Sequence, residues 1–144
     1  MEFKRVLVPF RGTKVDEDAL RLALSIGKKY KGKIFIIYVI LVKRSLPLDA
    51  DIEPVRKKGE EILERAEDIA EEEDFEVETE LLQAREAGPA IVEEAIDRKA
   101  DLIVMGLEYK ERFGKFSLSE TTTYVLKNAP CSVFLYREPI RGAG

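Results

Sequence analysis

The sequence predicts a doubly wound α/β domain built on one five-stranded parallel sheet. Three observations lead there. Short apolar runs rich in β-branched residues alternate with amphipathic stretches of helical period. Their order is β-α-β-α-β-α-β-α-β, with no internal repeat and no linker, so residues 1–144 form a single predicted domain. A chain of 144 residues is long enough for one well-filled core. Such alternation places helices on both faces of a parallel sheet, joined by right-handed crossovers.

Val6-Leu7-Val8-Pro9-Phe10 is almost purely apolar, as expected of a strand covered on both faces. Arg11-Gly12-Thr13 ends it, and Asp16 is the expected cap of the following helix. In that helix Val15, Ala19, Leu22, Ala23, Ile26 and Tyr30 form one apolar stripe, which Gly32 ends. Ile34 to Leu41 is a second buried strand. Residues 45–54 form a surface connection, followed by a long helix from about Val55 to Glu73. Ile62, Leu63, Ala66, Ile69 and Ala70 face inward, and the acidic run on the other side is a solvated face.

Phe75 to Leu81 alternates apolar and polar residues, which predicts an edge strand with one wet face. Gly88-Pro89 opens a helix containing Ile91, Val92, Ala95 and Ile96. Asp101 to Gly106 is the fourth strand and its exit, and residues 107–116 are expected as a loop. Ser117-Leu118-Ser119-Glu120 has the form of a capping box for a helix running to about Asn128. Ser132 to Tyr136 is the fifth strand. Ligands of such sheets bind beyond the carboxyl ends of the strands where the winding reverses. That places the site at the loops after Phe10 and after Met105, which should be neighbours.

Composition narrows the chemistry. The chain has no histidine, which excludes Ser-His-Asp and Cys-His catalysis and His-ligated zinc. The single cysteine, Cys131, excludes an internal disulfide and is expected as a small buried residue. A net charge of -4 argues against general affinity for nucleic acid or an anionic membrane. Charged residues make up 36% of the chain, a balance that suits a heat-adapted protein with surface ion-pair networks. The N-terminus enters the first strand without a signal peptide, and the longest apolar run is too short to span a bilayer. A cytoplasmic protein is expected.

Val6-Leu7-Val8-Pro9 with a following Gly-Thr, the Gly88-Pro89-Ala90-Ile91 helix start, Ala100 to Gly106, and Tyr124 to Cys131 together resemble the universal stress protein family. The likeness covers the whole chain in order. It implies strand order 3-2-1-4-5 in a Rossmann-like sandwich of the adenine nucleotide alpha hydrolase type. It also implies homodimers paired along the last strand, Ser132 to Tyr136.

Many members of that family bind ATP through a G-x2-G-x9-G-[S/T] motif, whose glycines let backbone N–H groups close around phosphates. Counted from Gly106, this chain offers Gly106, Tyr109 and Ser119-Glu120, so one glycine of three remains and a carboxylate stands where the hydroxyl should be. The aspartate usual after the first strand is Arg11. Pro9, Val39, Met105 and Gly106 match family positions that line the adenine and ribose pocket. Lys110, Arg112 and Lys115 belong with Arg11 to the same mouth. One reading is an anion held by these side chains. The other pairs Arg11 with Glu120 and leaves the loop cations solvated.

The leading expectation is a non-enzymatic stress-response or regulatory binding protein with weak nucleotide or small-anion binding. The alternatives are an ATP-binding member with a rebuilt phosphate site, and an interaction module for a partner such as a membrane transporter.

Overall fold

The computed structural model describes residues 1–107, 109–112 and 114–139, with the backbone alone at 109–112, 115 and 116. In chain order the elements are β1 (Arg5–Pro9), α1 (Lys14–Tyr30), β2 (Lys33–Leu41), α2 (Glu53–Glu72), β3 (Glu78–Ala84) and α3 (Ala87–Asp97). There follow β4 (Leu102–Gly106), β5 (Tyr109–Arg112), β6 (Lys115–Leu118), α4 (Glu120–Asn128) and β7 (Ser132–Tyr136). The main sheet is parallel in the order β3-β2-β1-β4-β7, which is the expected 3-2-1-4-5 once the β5–β6 hairpin is set aside.

The period of two along each strand divides the core into halves. Val6, Val8 and Phe10 of the β1 run join Leu20, Leu24, Leu63 and Ile69 from α1 and α2 on one face. Leu7 joins Phe35, Ile37, Ile103 and Met105 with Ile91 and Val125 from α3 and α4 on the other. Each such side chain contributes about 1.5–3 kcal/mol when fully buried. This explains why the three central strands are almost unbroken apolar runs. Among the described residues no helix is long and apolar enough to cross a membrane.

Several local expectations need correction. Thr13, not Asp16, caps α1: its hydroxyl accepts from the Asp16 amide at 3.2 Å. The helix ends with Lys31 in the left-handed region, while Gly32 serves close contact with the carbonyls of Phe3 and Lys4. The third strand begins at Glu78, where pairing with β2 starts opposite Phe35, and Phe75 and Val77 precede it, packed against the α1–α2 core. β5 (Tyr109–Arg112) and β6 (Lys115–Leu118) pair antiparallel, with Gly114 (φ 73°) preceding β6, so most of the expected loop is paired. Cys131 is half-buried against the α3–α4 core.

Ser117 also differs from its expected role. It lies in β6 opposite Lys110, so the four-residue capping box does not form. Ser119 caps α4 alone.

Candidate functional site

The chain runs from β1 outward through β2 to β3, then returns to β4 on the other side of β1. Connections leaving β1 and β4 therefore diverge to opposite faces and open a crevice at the strand tips. A cleft of about 310 Å3 lies there. Pro9, Ile37, Val39, Met105 and Gly106 line it from the strands. Arg11 flanks it from the β1–α1 turn, Asp16 from the first turn of α1, Lys58 and Ile62 from α2, Ala87 and Ile91 from α3, and Thr121 and Thr122 from α4.

Asp16 is the most unusual residue of the site. It is 1% exposed, yet charged and placed within the first turn of α1. A buried carboxylate needs its lone pairs filled. Arg11 does this three times. The Arg11 backbone N–H and Nε donate to Asp16 Oδ2 at 2.8 and 2.9 Å, and Nη2 donates to Oδ1 at 2.8 Å. This is a forked, charge-assisted pair. It replaces the anticipated Arg11–Glu120 partnership with a buried one. Gly106 abuts the pair from β4: a Cβ there would stand 2.4 Å from Asp16 Oδ1. The loops after Phe10 and Met105 are thus in direct contact, as the topology requires.

At the start of α4, Ser119 Oγ accepts from the Thr122 amide at 3.1 Å and donates to Thr122 Oγ1 at 3.0 Å. Thr122 is buried, and with Thr121 it reaches the cleft. Glu120 is the first residue of the helix and is exposed. Neither Ser119 nor Glu120 lines the cleft. Tyr109, Lys110 and Arg112 stand on β5 and Lys115 on β6, with their side chains outside the described residues.

The structure therefore gathers Pro9, Arg11, Val39, Met105 and Gly106 into one cleft and leaves Ser119 and Glu120 beside it. Sequence reasoning missed Asp16 as a site residue, both threonines, and the α2 wall. One signal for that wall was available. A glycine inside a helix costs about 0.5–1 kcal/mol relative to alanine, so Gly59 marks a close approach. A Cβ at Gly59 would meet Leu81 Cδ1 at 2.6 Å and Tyr38 Cδ1 at 3.0 Å. Its absence lets α2 settle on β2 and β3, which brings Lys58 and Ile62 to the cleft.

Residues 2–137 match the model of the universal stress protein family. A curated universal stress protein of Methanocaldococcus jannaschii is 32% identical over 143 residues, covering 95% of this chain and 84% of that protein. Among solved structures, the universal stress protein of Archaeoglobus fulgidus in complex with dAMP aligns with a TM-score of 0.75 at 20% identity, covering 94% of this chain and 99% of the other. A universal stress protein family member from Arabidopsis thaliana with AMP bound aligns at 0.67 and 16% identity, covering 94% and 92%. At these identities the solved structures speak for the fold. The family model and the archaeal relative span nearly the whole chain, and the chain belongs to the universal stress protein family.

Proposed function

We propose that this protein is a non-enzymatic, cytoplasmic stress-response or regulatory binding protein whose cleft receives a small nucleotide. The observation that carries this reading is the cleft itself. It lies where doubly wound sheets bind ligands, and Pro9, Val39 and Met105 offer apolar surface to a base and sugar. Two solved relatives of the same fold hold dAMP and AMP. The non-enzymatic part rests on Asp16. Its carboxylate accepts three hydrogen bonds from Arg11, so it is occupied as an ion-pair partner and poorly suited to act as a base.

Support for weak ATP binding comes from the start of α4. Glu120 puts a negative charge where a helix N-terminus would otherwise favour phosphate. Ser119 and Thr122 use each other's polar groups. Calorimetric titration with adenosine, AMP and Mg-ATP tests the proposal. Adenosine and AMP should bind, and ATP should show a dissociation constant of about 0.1 mM or weaker, equivalent to ~5.5 kcal/mol or less. A micromolar constant for Mg-ATP, or steady ATP turnover, would favour a rebuilt triphosphate site instead.

A further inference from the structure

We propose that Lys58 is a ligand-contacting residue whose ammonium meets the phosphate of a nucleoside monophosphate lying across the tips of β1, β2 and β4. The inference rests on the nucleotide reading above and assigns the charge that holds the ligand. Lys58 ends a basic run whose other members are engaged. Arg56 bonds Asp51 at 2.9 Å and Glu60 at 3.1 Å, and Lys57 pairs with Glu53 at 2.9 Å. Lys58 makes no ion pair or hydrogen bond with the described residues, and it lines the cleft.

Its position is set by packing. Gly59 seats α2 against Tyr38 and Leu81, and Ile62, one turn on from Lys58, lies over Gly12. A Cβ on Gly12 would be 3.3 Å from Ile62. The helix is therefore held in place while the Lys58 side chain remains exposed at the mouth. The other described cation of the cleft, Arg11, already directs Nε and Nη2 at Asp16.

The opposite end favours a phosphate less. There α4 begins with Ser119 and Glu120, so the helix N-terminus already has a hydroxyl cap and a carboxylate. A single phosphate gains more beside Lys58, where the N–H···O bond is charge-assisted. Size agrees with one phosphate. A cleft of about 310 Å3 is at the small end of the ~300–1,000 Å3 usual for ligand sites.

The test compares adenosine with AMP in the parent and in Lys58→Gln by calorimetry at low salt. The preference for AMP over adenosine should fall by roughly three- to tenfold, with adenosine affinity unchanged. Lys58→Arg should keep the preference. An equal loss for both ligands, or an unchanged ratio, would show that Lys58 only shapes the mouth and would overturn the assignment. A parent that binds adenosine and AMP equally overturns the Lys58 assignment alone. A parent that binds neither overturns the nucleotide reading with it.

Discussion

Gly106 and Asp16 touch across the mouth of the sheet, with the missing Cβ of Gly106 only 2.4 Å from Asp16 Oδ1. The end of β4 and the first turn of α1 therefore meet with no room for a side chain. Real Cβ atoms do not approach this closely, so Gly106→Ala must displace either the β4 exit or the Arg11–Asp16 fork. The expected cost is about 2 kcal/mol. Scanning calorimetry should show the melting temperature falling by about 5 °C. An unchanged melting temperature would mean that the turn yields freely and that the contact does not hold the site together.

The fork itself predicts strong coupling. Asp16→Ala removes the buried carboxylate that accepts three hydrogen bonds from Arg11, at a cost of roughly 3 kcal/mol. Arg11→Ala leaves Asp16 buried and under-bonded. The double variant should lose less than the sum of the two, with an interaction energy of about 1–3 kcal/mol. Urea denaturation of the four proteins in the cycle measures it. Simple additivity would show that the two side chains act independently.

Restoring the family's motif should restore ATP binding. Tyr109→Gly, Ser119→Gly and Glu120→Ser together remove a carboxylate from the first turn of α4 and reopen the backbone for phosphate. Ser119 is the actual cap of α4, and glycine replaces a capping serine at a cost of only a few tenths of a kcal/mol. Tyr109 lies in β5 opposite Leu118, so its replacement should loosen the hairpin. Calorimetric titration should show ATP binding more tightly than in the parent. A folded triple variant with no gain would locate the obstacle at the Arg11–Asp16 pair.

β7 is an edge of the main sheet, with one side paired to β4 and Phe134 partly exposed. Phe134 stacks edge-on with Phe3, their centroids 5.3 Å apart. An edge of this kind, unpaired among the described residues, invites pairing, and two-fold pairing along it would close it. Light scattering should therefore find a homodimer at micromolar concentration. Phe134→Lys should shift it toward monomer while circular dichroism stays native. A parent that is monomeric at that concentration removes the claim.

Burial raises the pKa of the Cys131 thiol above its ordinary value of 9.0, and the nearby charge of Asp101 raises it further. The fold thus favours the neutral thiol. That preference is fully present at pH values below the unfolded pKa and is lost as pH rises through the folded one, a window beginning near pH 9. Iodoacetamide at pH 8 should alkylate the native protein more slowly than the urea-unfolded chain, because the thiolate is the reactive form. Equal rates would show that the folded environment does not protect the thiol.

The central strands β1, β2 and β4 were legible in the sequence because a strand buried on both faces must be apolar at every position. Their alternation with helical segments determined the parallel sheet and its reversal point, and hence a cleft at the loops after Phe10 and Met105, while Pro9, Val39, Met105 and Gly106 entered only through the resemblance to the family. The sequence also carried a hairpin signal, Gly114 between two short runs, that is easily taken for an open loop. Three features depended on tertiary structure. Asp16 looks like an ordinary helix-start carboxylate until Gly106 and Arg11 close over it. Ser117 and Ser119 are both possible caps, and the β5–β6 pairing decides between them. Lys58 has the same helical spacing as its solvated neighbours. Whether it meets water or a cleft depends on how deeply Gly59 lets α2 settle on β2 and β3. Periodicity records which face of a helix is apolar, but the depth of docking is set by contacts between residues far apart in the chain.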